Sequence, residues 1–399
     1  MTSTARARAS TVGFLAAALI GLAAPAAAQT QLFEVEKSDE TKLLQVSDDA
    51  GLVVRGTFDA GAIPASGAGV RLMWYPRKAA FRAGRIQASQ WDDASVGQWS
   101  VAFGQNTTAS GTHSAAFNGG TTASGDRSVA MGGGTLASGA FAVATGQSTV
   151  ASGTFAVATG GSTVASGLGS FVTGSGSTAS GVTSIASGES SVAAGGNSVA
   201  LGFRVQANGN ASTATGTGTV AAGAASVALG TGVTAQGDGS FVFGDRSTNF
   251  PFTAAANTFM VRAFGGIGLN TGVNIGCDLP ANTGTWACTS SRLAKEGFED
   301  VDGEDVLAKL AAIRIQRWRY LGSPAEHVGP TAEDFREAFG LGESSTKIAG
   351  VDADGIALRA VQALERRTTE LREENAALRR RLGTLEGALG ELRAGRSSE

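Results

Sequence analysis

Two hydrophobic patterns divide this chain, and their periods differ. From 96 to about 245, apolar positions return every fourteen residues inside five-residue cores such as Ser128-Val129-Ala130-Met131-Gly132 and Ser226-Val227-Ala228-Leu229-Gly230. Side chains alternate across a strand, so positions one and three share one face and positions two and four the other. Positions one and three are nearly always Ser, Ala or Val. Positions two and four are larger: Val, Phe, Ile, Leu, Met or Thr. From 361 to 392 the spacing instead alternates between three and four, through Val361, Leu364, Thr368, Leu371, Asn375, Leu378, Leu382, Leu385, Leu389 and Leu392. The first pattern predicts short strands and the second a long helix.

A fixed period means stacked copies of one small unit. Glycine recurs at 111, 125, 139, 153, 167, 181, 195, 209, 223 and 237, closing a triplet that reads Ala-Ser-Gly six times running. A second glycine closes each core from Gly132 to Gly244, with Asn118 in the preceding slot. Glycine takes positive φ freely and asparagine is among the next most tolerant residues, so this position predicts a turn. The Ala-Ser-Gly triplet predicts a second short strand and a turn. Each unit is then one coil of a narrow parallel β-roll, and ten coils at about 4.8 Å make a rod of roughly 50 Å. Its small face buries little beyond methyl groups. Such a roll needs neighbours to cover its larger face. A Gly/Ser linker would not keep Val and Phe in register.

The second pattern predicts a coiled coil of more than four heptads, with Glu and Arg on its flanks and Asn375 on the seam. A seam asparagine fixes register or strand number. The heptad alone does not separate dimer from trimer, and the adjacent rod argues for trimer.

The flanks are less regular. Leu43-Leu44-Gln45-Val46, Gly51-Leu52-Val53-Val54 and Val70-Arg71-Leu72-Met73-Trp74-Tyr75 suggest a β cap over 29–95. Trp74, Tyr75, Phe81 and Trp91 form either its core, the preferred reading, or a ligand patch. Residues 246–289, including Asn257-Thr258-Phe259-Met260-Val261-Arg262-Ala263, predict short strands leading out of the rod.

Composition narrows the function. The 399 residues carry 58 glycines and 7 prolines, which excludes collagen, and a net charge of −3 argues against a nucleic-acid partner. Residues 1–28 predict a secretory signal: Arg6 and Arg8, an apolar run from Val12 to Leu22, and Ala26-Ala27-Ala28 before a mature start at Gln29. No later stretch is long and apolar enough to span a bilayer. The chain closes on charged helix, not on alternating strands with an aromatic girdle, so a self-anchoring barrel is not expected. A secreted or loosely surface-attached molecule is expected. Export permits a disulfide. Pairing of Cys277 with Cys288 within one chain is the favoured reading, with free thiols and interchain bridges as alternatives. Two Cys and two His at scattered positions make no metal site, and no cofactor is expected. A polysaccharide-cleaving rod would need paired carboxylates. The rod offers only Asp126, Glu189 and Asp238, far apart in repeat number.

The Ser-Val-Ala-x-Gly cores at this period resemble the head repeats of trimeric autotransporter (YadA-like) adhesins over residues 96–245. That resemblance implies three left-handed parallel β-rolls about an axis, hence a homotrimer, and leaves the cell-surface or glycan ligand open. Downstream stands Cys288-Thr289-Ser290-Ser291-Arg292-Leu293-Ala294-Lys295-Glu296. A helix follows at Asp305-Val306-Leu307-Ala308-Lys309-Leu310, and a strand at Ile315-Gln316-Arg317-Trp318-Arg319-Tyr320. Then come His327-Val328-Gly329, Val351-Asp352-Ala353-Asp354-Gly355 and the heptad. This ordered set resembles the intramolecular chaperone of endosialidase-type phage tailspikes, serine peptidase family seventy-four, often described as a tail-fibre domain. The expected divisions are 290–355 for its body and 356–395 for its coil.

The resemblance implies that the domain trimerises a fibre and then cuts its own chain at Thr289–Ser290. Ser290 would be the nucleophile and Lys295 the general base. A hydroxyl needs a base to attack, and a lysine serves when burial or a nearby cation lowers its pKa from about 10.4 toward 7–8. Burial at a trimer interface would couple cutting to assembly. Ser291 stands where the family has Asp, and Gly297 where a polar residue is common, which puts activity in question. The bland alternative makes Ser290 a helix N-cap and Lys295 a surface charge. His327 would assist the site or, more simply, pack.

Overall fold

A computed structural model of the chain describes residues 31–36, 40, 42–47, 51–246 and 252–396. The signal segment 1–28 and the Gln29 start lie outside them. The fold is mainly β with a helical C-terminus, and it divides into two compact units.

The first unit is dominated by the rod. Its cores are five-residue strands, each paired in parallel with the strand fourteen residues on: Val129 with Val143, Val143 with Val157, Ile185 with Val199. Two-residue strands such as Thr122–Ala123 and Leu136–Ala137 form the second sheet. They use the residue before each Ala-Ser-Gly triplet and its alanine, so Ser and Gly are left for the corner.

The interior follows the alternation. Ala102, Ala116, Ala130 and Ala144 on the long strands, and Ala109, Ala123 and Ala137 on the short ones, are buried in one cluster made almost wholly of alanine. Ser114, Ser128, Ser184 and Ser226 are also buried, and each Oγ donates to a corner glycine carbonyl, as in Ser128 to Gly125 at 2.6 Å. A buried hydroxyl costs little once it is hydrogen-bonded. Met131, Phe103, Phe171 and Leu201 face outward and stay exposed.

Both glycine columns lie against the backbone of the next coil, a Cβ at Gly132 or Gly125 falling 2.0 Å from a carbonyl oxygen, and one column also needs a positive φ. Gly132 and Gly146 have φ near +116°, and Asn118 takes +81° in the same slot. This positive φ lies within the strand, not at a turn after it. Gly125 has no such φ. A Cβ there would lie 2.0 Å from the Gly139 carbonyl oxygen, so the column at 111 to 223 is glycine because successive coils touch through backbone.

The rod outruns its sequence period. Phe241 pairs with Phe259, eighteen residues on, where Val227 pairs with Phe241 fourteen residues earlier. Phe252–Ala254 and Phe259–Arg262 therefore make one more coil, so the rod ends at Arg262 and not at 245. Strands over Gly266–Gly272, Ile275–Pro280 and Ala287–Cys288 form a separate small sheet. Both cysteines are disulfide-bonded, and the chain has no others.

An arginine closes each end of the rod. The antiparallel hairpin of Gly69–Tyr75 and Ala80–Ile86 joins the first coil, with Phe81 paired to Val101. Arg82 pairs with Ala102, in the alanine column, and is fully buried. Its guanidinium donates to the Phe81, Ser100 and Ala109 carbonyls and to Ser100 Oγ at 2.7–2.9 Å, which tie off the end of the coil. Burial pushes its pKa down to about 10. At the other end Arg262 donates to the Thr231 carbonyl at 2.9 Å. Trp91 and Tyr75 are buried in the cap, where Trp91 Nε1 donates to the Thr107 carbonyl at 2.9 Å. Those two are core, not an open aromatic patch.

The second unit is small. Helix α1, Gly303–Ala312, is N-capped by Asp302, and α2, Ala332–Phe339, by Thr331. Helix α3 runs unbroken from Gly350 to Arg396, so the Val351–Gly355 segment lies inside it. A two-stranded hairpin joins Gln316–Arg319 to Glu326–Gly329. The core is Val306, Phe335, Ile356 and Ala360, with Leu307, Leu310 and Phe339 against them.

Candidate active site

The segment after Cys288 is shaped by one short turn. Ser291 caps the 3-10 turn Arg292–Ala294: its Oγ accepts from the Leu293 amide at 3.2 Å. The N-cap is thus Ser291 and not Ser290. A serine caps a helical turn about as well as an aspartate does, so the turn is capped with Ser291 in this position. The turn closes with the Lys295 amide donating to the Arg292 carbonyl at 3.3 Å. It carries the lysine side chain back over Ser290, and Lys295 Nζ donates to Ser290 Oγ at 2.7 Å.

That contact is the geometry a nucleophile and its base require, within about 2.6–3.2 Å. Ser290 and Lys295 are both exposed in the single chain, as is Thr289, just past the strand Ala287–Cys288. Beside the pair, the Arg292 guanidinium sits 4.2 Å from the Phe298 ring centre. Leu293 is fully exposed, and Phe298 and Val301, close by in sequence, are half exposed.

Residues 290–340 match the family described as the chaperone of endosialidase. The rod matches the YadA head domain repeat over 97–117, 123–149, 151–177 and 179–204. No curated protein matches the chain. The chaperone match opens on Ser290 itself. This chain therefore joins YadA-type head repeats to an endosialidase-type chaperone segment.

Other candidates fall elsewhere. His327 pairs across the hairpin with Trp318 and packs its ring 4.9 Å from Trp318 and 5.7 Å from Tyr320. Asp126 and Asp238 accept from the Thr112 and Ala224 amides one coil away, at 3.0 and 2.8 Å, and Glu189 is exposed. The first two carboxylates brace corners. Among the described residues no three His, Cys, Asp or Glu side chains are grouped to hold a metal, and no helix is long and apolar enough to cross a membrane.

Two features carried no signal in the sequence pattern. One is a column on a left-handed corner of the rod. Trp99 stacks on His113 at 4.6 Å, Arg127 lies over Phe141 at 5.1 Å, and Phe141 stacks on Phe155 at 4.9 Å. The rings cover one another's faces and show their edges. The other is Glu304 at the start of α1, whose carboxylate holds both Arg366 and Arg367 of α3.

Proposed function

We propose that this chain is an exported homotrimeric fibre or adhesin whose C-terminal domain aligns three copies and then cuts Thr289–Ser290. The head-repeat and chaperone matches support the trimeric, fibre-like part of this reading. The observation that carries the cleavage is the 2.7 Å contact from Lys295 Nζ to Ser290 Oγ beside that bond.

In the proposed step Lys295, as the free amine, takes the Ser290 hydroxyl proton while Oγ attacks the Thr289 carbonyl carbon. The tetrahedral intermediate collapses, the C–N bond breaks, and Lys295 returns its proton to the departing Ser290 amine. Water then hydrolyses the Thr289 ester, freeing the Thr289 carboxylate and the Ser290 hydroxyl. Neighbouring copies covering Leu293, Phe298 and Val301 would exclude water from the lysine, a condition under which it acts as a base. Cutting would then follow assembly. The rod would be the displayed product, offered to a cell surface or a glycan.

The rival reading is a non-enzymatic trimeric adhesin with an inert trimerisation domain. The exposure of both Ser290 and Lys295 in the single chain favours it. Intact mass of purified wild type beside Ser290→Ala separates the two. Self-cleavage removes the 110 residues from Ser290 to Glu399 in wild type and leaves the variant whole. Cutting of Ser290→Ala at the wild-type rate would overturn the assignment, and an intact wild type would favour the rival.

A further inference from the structure

The seam of α3 is bare in one chain. Val361, Leu364, Leu371, Leu378, Leu382, Leu385, Leu389 and Leu392 are between 51 and 71 % exposed. Counting Val361, Thr368, Asn375, Leu382 and Leu389 as heptad a places Leu364 to Leu392 at d. The flanking g positions are then Ala360, Arg367, Glu374 and Arg381, and the e positions Glu365, Arg372, Arg379 and Glu386. In parallel, in-register helices each g residue faces the e residue of the next heptad on the neighbour.

Those charges sort into two zones. Glu374 would face Arg379 of the next copy, and Arg381 would face Glu386, both complementary. Arg367 would face Arg372, a like-charged pair that costs stability. The structure explains the exception. Helix α1 docks on the g side of the seam at its first heptads: Val306 and Ala360 share one core, and Gly303 lies against Ala363. Arg359 Nε donates to the Val301 carbonyl at 2.6 Å. Glu304 accepts from Arg366 at 2.7 Å and also pairs with Arg367. The like-charged pair thus falls where a folded α1 brings a carboxylate, and the complementary pairs fall on exposed positions of α3.

We propose that α3 joins copies of this chain as a parallel, in-register coil whose register is set by Glu374–Arg379 and Arg381–Glu386 pairs between copies. Glu304 neutralises Arg367 against Arg372, so the coil closes fully only when α1 has docked. The inference rests on the trimeric reading above and gives it a register and a folding checkpoint. It makes Glu304 a positioning residue that acts through Arg367.

The test uses the full chain carrying Ser290→Ala. Sedimentation equilibrium reports first whether copies associate, and a monomer would end the trimeric reading itself. In an associated chain, Asn375→Cys under mild oxidation should yield covalent dimers, since an in-register seam places these cysteines in one layer. Absence of the cross-link would overturn the register. Glu304→Ala should weaken association by about two- to fivefold per copy. Adding Arg372→Glu should restore it, because Arg367 then finds its partner on the neighbour. A restoration no larger than the effect of Arg372→Glu alone would overturn the Glu304 role. Arg381→Glu with its rescue by Glu386→Arg repeats the register test on exposed α3 positions, where the fold of α1 is not at stake. Failure of that rescue would also overturn the register.

Discussion

The rod and the C-terminal unit solve the same problem in opposite ways. Each has too little apolar volume inside one chain. The rod's core is alanine, so it gains its order from repetition: every coil lays its backbone against the next, and glycine removes the side chain where coils touch. The second unit has a core of a few residues and a seam of leucines left in water. Its missing contacts are long, apolar and periodic, which is the form that a copy of the same helix can supply. Repetition along one chain needs correct stacking, and repetition across chains needs correct register. The two ends of this molecule divide those tasks.

The contrast breaks most sharply at the seam. Leu378→Ala should cost about 2–5 kcal/mol per copy if three helices bury that leucine, and almost nothing if it stays half exposed. Thermal melting of the full chain across protein concentrations distinguishes the outcomes, because only the first lowers a concentration-dependent midpoint.

Within the rod, Gly125→Ala sets a Cβ 2.0 Å from the Gly139 carbonyl oxygen, while Gly133→Ala meets nothing within 4 Å. The first should cost more than the about 1–3 kcal/mol of ordinary overpacking, because backbone cannot swing aside. The second should be neutral or stabilising by up to about 1 kcal/mol. Equal melting shifts for the two would show that coils do not touch through that column.

How far these features were legible depends on what each one repeats. The fourteen-residue pattern placed Ser128 and Ala130 inside and Met131 outside, because burial in a coil follows alternation alone. It lost the last coil because a net insertion of four residues between Phe241 and Phe259 shifts the period without breaking their pairing. It explained one glycine column by φ, and could not see that Gly125 is set by the neighbouring coil's backbone. Arg82 was invisible, since a charged residue in a strand reads as outward-facing. Ser290 and Lys295 were legible through the resemblance of the ordered segment around them, their spacing alone being too common to mark a site. The contact between them depends on the turn capped by Ser291, the residue that the sequence marked as a departure.

The smallest expected effect is electrostatic and separates the second unit from the nearly uncharged rod. The Arg366 guanidinium, and then that of Arg367, holds the Glu304 carboxyl below its ordinary value of 4.5. A lowered folded-state value stabilises above the unfolded value and is lost as pH falls through 4.5 and below. Wild type should therefore melt higher than Glu304→Gln near neutral pH, and the gap should shrink as the pH falls below 4.5. A gap unchanged on acidification would mean that the carboxylate contributes through packing alone.

The most direct measurement is the mass of the assembled full chain carrying Ser290→Ala, by sedimentation equilibrium or native mass spectrometry. The account predicts three times the chain mass, falling toward one chain mass when Leu378→Ala is added. A monomer with its seam intact, or a trimer indifferent to Leu378→Ala, would contradict the claim that the C-terminal seam aligns three copies of the rod.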